Sequence, residues 1–337
     1  MSRKKRAVVI FPGRGSYNKS ELGVIQSHYK DHPFLNDYDQ YKVQNNNPTI
    51  TELDGANVFQ RNIHYHGPNS AALIHCCSYL DYLNINQENY EIVAITGNSM
   101  GWYLACHAAG ALEDQHAFEF IETMASITNN PIGGQLIYPI TNQDWIVDYE
   151  IKQLVNEKID DSKIFLSIDY GGFYILAGKK ESLNILMKKL PARDIYPQIL
   201  PGNSAFHTPL LQDAAHKAQE IISCQVFKAP QIPLIDGRGK IWSPHSTTIE
   251  EFYHYTTFNQ VISTYYFSLA IQKCYREFAP DVFILTGPGS YTAGAVARSL
   301  IELNDGPWKD KKSFLAQQKE KPIVLSMAIH EQRSLIV

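Results

Sequence analysis

The stretch IVAITGNSMGWYLACHAAG, residues 92–110, places Ser99 between two glycines in the pattern G-x-S-x-G. An apolar run precedes the pattern and an alanine-rich run follows it, which indicates a strand, a turn and a helix. Such a turn exposes the serine Oγ and directs the amides of the helix N-terminus toward it. Gly97 and Gly101 leave room for this sharp turn, because a Cβ atom would clash there. The five-residue pattern alone is weak evidence. Its setting predicts that Ser99 is a nucleophile rather than a structural serine in a loop of small residues.

The remainder of the chain alternates between strand-like and helix-like segments, which indicates an α/β fold. Residues 7–11 and 282–285 are continuous apolar runs, as expected of buried parallel strands. Helices are predicted at residues 208–222 and at residues 259–277. Residues 35–62 are polar and rich in asparagine, so we expect a loop with one short helix there.

The middle of the chain differs from the rest in the order of its predicted strands and helices, which indicates a separate small unit. Its order β-α-β-β-α-β is that of a ferredoxin-like unit. The predicted strands and helices are, in chain order, residues 135–140, 144–155, 163–168, 173–177, 179–190 and 195–200. We therefore expect a large α/β domain made of residues 1–131 and 199–337, with a small subdomain of residues 132–198 inserted in it.

Composition limits the classes of function. The chain of 337 residues has a formal charge of −4, so it lacks the basic character of a nucleic-acid-binding protein. No apolar run has the length of a membrane span, and the basic cluster at residues 3–6 is followed by only five apolar residues. The five cysteines form no C-x-x-C pattern, which favours reduced thiols. We expect a soluble, cytoplasmic monomer that contacts neither nucleic acid nor membrane.

A serine nucleophile needs a base within hydrogen-bond reach, and His207 is the candidate among twelve histidines. It lies in GNSAFHTPLL, residues 202–211, immediately before the predicted N-cap Thr208. Amides at a helix start disfavour a protonated imidazole and keep it available as a base. The alternative is an ordinary loop histidine at the surface, and the residues alone leave it open.

Four segments together resemble one known family. FPGRGS (residues 11–16) is similar to FPGQGS, and GNSMGWYLACHAAGAL (97–112) to GHSLGEYAAL-AAGAL, in malonyl-CoA:acyl carrier protein transacylases and the acyltransferase domains of polyketide synthases. SAFHTPLL (204–211) resembles their APFHSPLM, and LTGPGSYTAGAVARSL (285–300) their VGPG-kVLtgL. The four occur in the family's order. The resemblance implies a large domain with an α/β-hydrolase-like parallel sheet and an inserted ferredoxin-like subdomain.

The resemblance also implies a ping-pong acyl transfer from acyl-CoA to the phosphopantetheine thiol of an acyl carrier protein. Ser99 would carry the acyl group and His207 would move the proton. The main-chain N–H groups of Arg14 and Met100 would form the oxyanion hole. In this family a neutral group orients the histidine, and NQVISTYYF (259–267) points to Gln260; the alternative is a solvated helix residue. Neither a metal nor a bound organic cofactor is required.

The sequence departs from the family where the substrate would be bound. Met124 stands where malonyl-specific members carry an arginine for the malonyl carboxylate. Gly67 stands near the usual glutamine, and Asn98 replaces the histidine before the nucleophile. A thioether cannot hydrogen-bond a carboxylate, so Met124 favours uncharged acyl groups. Arg14 is the fourth predicted pocket residue: its side chain either reaches a carboxylate or lies in solvent, with only its backbone in use.

Three functions remain open at this point. The first is an acyltransferase that is not malonyl-specific. The second is a hydrolase of acyl thioesters on carrier proteins, because transfer and hydrolysis differ only in what attacks the acyl-enzyme. The third is a non-catalytic homologue that docks a carrier protein. Retention of Ser99 and His207 beside altered substrate positions favours changed specificity over loss of catalysis.

Overall fold

Two β-sheets organise the chain. The computed structural model describes residues 3–337, except for the side chains of residues 160–162, so the first two residues of the predicted large domain lie outside it. Its strands are β1 (Lys5–Phe11), β2 (Tyr90–Gly97), β3 (Gly134–Pro139), β4 (Phe165–Asp169), β5 (Phe173–Gly178), β6 (Gln198–Leu200), β7 (Leu234–Ile235), β8 (Ile241–Trp242), β9 (Tyr265–Tyr266), β10 (Val282–Leu285) and β11 (Val324–Ser326).

Helices surround these strands. They are α1 (Val24–Tyr29), α2 (Pro33–Gln44), α3 (Ile50–Asp54), α4 (Arg61–His64), α5 (Gly67–Leu83), α6 (Gly101–Ala108), α7 (Asp114–Ile127), α8 (Tyr149–Ser162), α9 (Lys180–Lys189), α10 (Gln212–Ile221), α11 (Ile249–His254), α12 (Gln260–Ile262), α13 (Phe267–Phe278), α14 (Thr292–Leu303), α15 (Lys311–Glu320) and α16 (His330–Arg333).

The larger sheet has the order β11-β10-β1-β2-β7-β8. All neighbours are parallel except the terminal pair, in which β8 runs antiparallel to β7. The central strand β1 is buried along residues 7–11, because helices cover both faces of a parallel sheet. This is the α/β sheet that the alternation of the sequence predicts.

The smaller sheet has the order β6-β3-β5-β4-β9. Its first four strands pair antiparallel and, with α8 and α9, follow the predicted order β-α-β-β-α-β. They enclose a separate apolar core that includes Leu136, Leu176 and Leu183. The fifth strand, β9, comes from a later part of the chain and pairs parallel to β4. The predicted fold class, a parallel-sheet domain with an inserted ferredoxin-like unit, is confirmed.

The prediction of a loop at residues 35–62 is wrong, because α2, α3 and α4 occupy most of it. Pro33 begins α2 at a position that needs no N–H donor, and Phe34, Leu35 and Tyr38 are buried. The helix also carries Lys42, whose ammonium group pairs with Glu122 of α7 at 3.0 Å. Contacts with distant residues thus stabilise a segment whose composition alone favours a loop.

The predicted helix at residues 259–277 is also wrong, because it is interrupted. A π-helical turn (Tyr255–Asn259) leads into the short α12, the chain then extends as β9, and α13 begins at Phe267. The interruption follows from strand pairing: Tyr265 lies opposite Ile168 of β4. Tyrosine and threonine favour an extended backbone when such a partner is present.

Smaller differences concern helix starts. The predicted helix 144–155 begins only at Tyr149, after Asp148, whose side chain accepts a hydrogen bond from the N–H of Ile151. The predicted helix 208–222 begins with a 3₁₀ turn (Pro209–Leu211) before α10. Within the described residues, none of the helices combines the length and apolar character needed to cross a membrane. The same residues contain no group of three or more His, Cys, Asp or Glu side chains arranged to hold a metal ion.

Candidate active site

Ser99 lies on a tight turn between β2 and α6. Its backbone adopts a left-handed conformation with φ of 55°, which is strained for a residue other than glycine. A Cβ atom on Gly97 would fall far inside van der Waals contact with the carbonyl of Gly101. A Cβ atom on Gly101 would do the same with the carbonyl of Phe11. Both glycines are therefore required by close backbone approach, and the turn presents Ser99 at the carboxyl end of the sheet.

Ser99 and His207 contact each other across 108 residues of sequence. The serine Oγ and the histidine Nε2 are 2.7 Å apart, a short hydrogen bond. Ser99 is half-buried, while His207 is 3% exposed. His207 also has a left-handed backbone, with φ of 58°. The alternative of an ordinary surface loop histidine does not describe its position.

The second nitrogen of His207 establishes which tautomer is present. Nδ1 lies 2.6 Å from the main-chain carbonyl oxygen of Gln260. A carbonyl can only accept, so Nδ1 carries the proton and Nε2 accepts the hydrogen bond of the Ser99 hydroxyl. That carbonyl is free because α12 ends at Ile262, leaving its last carbonyls without helical partners. The interruption of the predicted long helix is thus what makes this contact available.

Burial lowers the pKa of His207 to about 4, and the hydrogen bond to the Gln260 carbonyl opposes this shift in part. The imidazole has lost water that would stabilise its charged form. At neutral pH the ring is therefore uncharged, with a free lone pair on Nε2. This is the protonation state that a general base requires.

Gln260 contacts the histidine through its backbone and not through its polar side chain. The side-chain Nε2 donates to the main-chain carbonyl of Ser99 at 2.9 Å. The side-chain Oε1 accepts from the hydroxyl of Tyr103 at 2.6 Å. Gln260 is 2% exposed, so the alternative of a solvated helix residue is wrong. One residue thereby contacts both the base and the backbone of the serine turn.

A cavity opens beside Ser99 and has a volume of about 590 Å³, including the part open to solvent. Such a volume is ordinary for a small-molecule site. Three of the four predicted pocket residues line it. The lining residues are Arg14, Gly67, Ala71, Ser99, Met100, Tyr103, Ile121, Met124, Ala125, Thr128, Phe206, His207, Gln260 and Val261. The wall is mostly apolar.

Asn98, also predicted as a pocket residue, does not line the cavity, and this prediction is wrong. Its side chain lies against the loop after β1: a Cβ atom on Gly13 would be 2.9 Å from Asn98 Nδ2. Its main-chain N–H donates to the carbonyl of Phe11. The left-handed turn at Ser99 separates consecutive side chains, so that Ser99 faces the cavity and Asn98 is buried behind it.

Gly67 lies at the start of α5, where it packs against α7. Its N–H donates to the side chain of Asn129 at 2.9 Å, and a Cβ atom there would be 2.8 Å from the carbonyl of Ala125. Met124, on α7, is 5% exposed and contributes to the apolar wall. On this side the cavity is therefore lined by uncharged residues of two closely packed helices.

Arg14 lines the cavity, and the residue is half-buried, with its guanidinium group near Phe206, another lining residue. Its guanidinium carbon is 5.6 Å from the centroid of the Phe206 ring. Burial lowers the pKa of Arg14 from its ordinary value. Within the described residues, the main-chain N–H groups of Arg14 and Met100 donate no hydrogen bond. Donors of an oxyanion hole must be free in this way to bind the substrate oxygen. The role of these two N–H groups as the oxyanion hole stays a prediction.

Several lining residues were not predicted from the sequence, among them Tyr103 and Phe206. Tyr103 follows Ser99 by four residues on α6, and this helical spacing places it on the same side as the turn. Phe206 directly precedes His207 and contacts Arg14. The helical spacing was a usable signal for Tyr103, whereas the orientation of Phe206 depends on the loop conformation.

Comparison with known proteins supports the resemblance. No family model matches the chain. The polyketide biosynthesis acyltransferase homolog PksD of Bacillus subtilis is 22% identical over 141 residues, 42% of this chain and 42% of that protein. The malonyl CoA-acyl carrier protein transacylase of B. subtilis is 24% identical over 209 residues, 60% of this chain and 63% of that protein. The matched regions thus cover less than two thirds of either relative.

The fold is shared over nearly the whole chain. The crystal structure of the malonyl-CoA:ACP transacylase of Synechocystis sp. PCC 6803 superposes with a TM-score of 0.75 at 12% identity, covering 98% of this chain and 100% of that one. Identity this low establishes the architecture and not the activity. The chain resembles the malonyl-CoA:acyl carrier protein transacylases and polyketide acyltransferases in sequence, and it has their fold.

Proposed function

We propose that the protein is an acyltransferase that moves an acyl group from acyl-CoA to the phosphopantetheine thiol of an acyl carrier protein, through an ester on Ser99 and without restriction to malonyl. The observation that carries the proposal is the 2.7 Å contact between Ser99 Oγ and His207 Nε2 beside a cavity. A CoA thioester donor and a carrier-protein acceptor agree with the name of one relative, the malonyl CoA-acyl carrier protein transacylase of B. subtilis, and PksD is named an acyltransferase homolog.

In the first half-reaction, Ser99 Oγ attacks the thioester carbonyl while His207 Nε2 takes the hydroxyl proton. The negative oxygen of the tetrahedral intermediate is stabilised by the N–H groups of Arg14 and Met100. The C–S bond then breaks, and His207 returns the proton to the departing coenzyme A thiolate. The product is an ester of Ser99.

In the second half-reaction, the carrier thiol gives its proton to His207 Nε2 and attacks the ester carbonyl. The bond to Ser99 Oγ breaks, and the serine recovers the proton. The Gln260 carbonyl holds Nδ1–H throughout, so Nε2 is the atom that exchanges protons. The reaction requires neither a metal nor an organic cofactor.

Intact-protein mass spectrometry tests the proposal. The protein is incubated briefly with acetyl-, butyryl- and malonyl-CoA, and holo-acyl carrier protein is then added. We expect a mass increase of one acyl group that the carrier protein discharges. Ser99→Ala should show none, while Ser126→Ala, which changes an exposed serine of α7, should behave as wild type.

Other results would contradict parts of the proposal. Free acid that accumulates without acylated carrier protein would establish a hydrolase. An adduct that persists in Ser99→Ala would exclude Ser99 as the nucleophile. The absence of both adduct and free acid with every donor would favour the non-catalytic, carrier-docking alternative.

A further inference from the structure

The cavity contains a cation without an anionic partner. Arg14 lines it, and no carboxylate lies within ion-pair distance of Arg14 among the residues that the structure describes. None of the lining residues is Asp or Glu. Arg14 is half-buried, whereas Lys42 and Arg333, which are buried more completely, are both paired: Lys42 lies 3.0 Å from Glu122, and Arg333 lies 2.8 Å from Asp81. Arg14 differs from them in facing an open cavity.

An arginine in this position implies an anion from outside the chain. Removing a charge from water is unfavourable unless a partner and hydrogen bonds replace the hydration. The Phe206 ring, 5.6 Å from the guanidinium carbon, supplies a weak attraction and a flat surface, but no hydrogen-bond acceptor. The five N–H donors of the guanidinium match the two oxygens of a carboxylate.

Resting on the proposed function, we propose that Arg14 is a specificity-determining residue that binds a carboxylate on the acyl chain of the substrate. The cation would act from the loop after β1, while the part of the wall formed by Met124 on α7 is apolar. The substrates would be thioesters of short dicarboxylic acids. The proposal rests on two observations together: the wall at Met124 is apolar, and Arg14 has no carboxylate partner among the described residues.

The side chain of arginine is long and flexible, and it begins here in a loop. It can therefore approach carboxylates at more than one distance from Ser99. We expect both malonyl and succinyl groups to be accepted, in agreement with a donor that is not restricted to malonyl. The cavity volume of about 590 Å³, which includes its open part, accommodates either group.

The test compares rates of Ser99 acylation by malonyl-CoA and acetoacetyl-CoA. The two acyl groups have nearly the same size, but a methyl group in acetoacetyl replaces a charged oxygen of malonyl. We expect wild type to favour malonyl-CoA, and Arg14→Gln to lower the ratio of the two rates by at least about tenfold. Arg14→Lys should keep part of the ratio, because an ammonium retains the charge but not the paired donors.

Arg61→Gln is the matched control. Arg61 also lies over an aromatic ring, with its guanidinium carbon 5.9 Å from the Tyr65 centroid, but it does not line the cavity. The ratio of the malonyl-CoA rate to the acetoacetyl-CoA rate in Arg61→Gln should equal that of wild type. Succinyl-CoA against butyryl-CoA gives a second comparison, in wild type alone, that does not depend on folding of a variant.

The outcomes separate this inference from the proposed function. Acylation of Ser99 without preference for carboxylated donors, or a ratio that Arg14→Gln leaves unchanged, would overturn the inference and leave the acyltransferase proposal intact. Failure of every donor to acylate wild-type Ser99 would overturn both. A carboxylate preference that Arg14→Gln removes and Arg61→Gln keeps would establish the inference about Arg14.

Discussion

The acid limit of the reaction depends on the burial of His207. Only the uncharged ring has a lone pair on Nε2 to take the Ser99 proton. Since burial lowers its pKa to about 4, the ring stays uncharged well below neutral pH. We therefore predict that the second-order rate constant for Ser99 acylation is constant from neutral pH down to about pH 5, and that it decreases only near pH 4.

The predicted difference from an ordinary histidine is large. At pH 5.5, a group with a pKa of about 4 is about 97% uncharged, whereas one with the usual pKa of about 6.5 is about 9% uncharged. The rate constant at pH 5.5 would therefore be about tenfold higher than an exposed histidine allows. The comparison needs no assumption about the rate of the chemical step, because it concerns only the fraction of competent enzyme.

The assay is rapid acid quench followed by intact-protein mass spectrometry, at pH values from about 4 to about 8. Acetyl-CoA is the donor, because its acyl group does not titrate. Ser99→Ala provides the baseline at each pH, and far-UV circular dichroism confirms that the protein remains folded.

The folding control is necessary because the same pKa shift reduces stability in acid. The unfolded chain takes up a proton on this histidine below about pH 6.5, whereas the native state excludes it until about pH 4. This contribution to stability is complete above about pH 6.5, and about 3 kcal/mol of it is lost as the pH falls through that window. A rate that halves near pH 6.5 in fully folded protein would refute the reasoning from burial.

Two further predictions concern stability, measured by urea unfolding. Tyr103→Phe removes the donor to Gln260 Oε1 and should lower the free energy of unfolding by about 1–3 kcal/mol. Tyr79→Phe is the control and should lower it much less, because the Tyr79 hydroxyl has no hydrogen-bond partner among the described residues. Equal losses in the two variants would contradict the argument. Lys42→Met leaves the buried carboxylate of Glu122 without its ion-pair partner and should cost about 3–5 kcal/mol, most of it recovered when Glu122→Gln is added. A single-variant loss below about 1 kcal/mol would show that the pair is not desolvated.

The short-range features of this protein were predictable from its sequence. Gly97 is required by a backbone contact within one turn, with the carbonyl of Gly101, so part of the geometry around Ser99 follows from the local pattern; Gly101 is required by the carbonyl of Phe11 on β1. The alternation of strands and helices predicts the α/β sheet and the ferredoxin-like unit, because hydrophobic periodicity reflects burial directly. The segment SAFHTPLL, through its resemblance to a known family, pointed to His207 beside Ser99.

Contacts between distant residues decided the rest. Composition favours a loop at residues 35–62, yet burial of Phe34 and the ion pair between Lys42 and Glu122 stabilise helices there. Local propensity favours one helix at residues 259–277, yet pairing of Tyr265 with β4 interrupts it and frees the Gln260 carbonyl for His207. In both cases the deciding partner is far away in the sequence.

The directions of side chains were likewise determined only by the tertiary structure. Asn98 and Ser99 are consecutive, but the left-handed turn sends one behind the loop after β1 and the other into the cavity. Arg14 had two interpretations in the sequence, and the structure holds its guanidinium group over Phe206, a lining residue of the cavity. The sequence by itself determined the sheet, the serine turn and the candidate base. The tertiary structure decided which groups line the cavity, because the direction of a side chain depends on packing between segments that are far apart in the sequence.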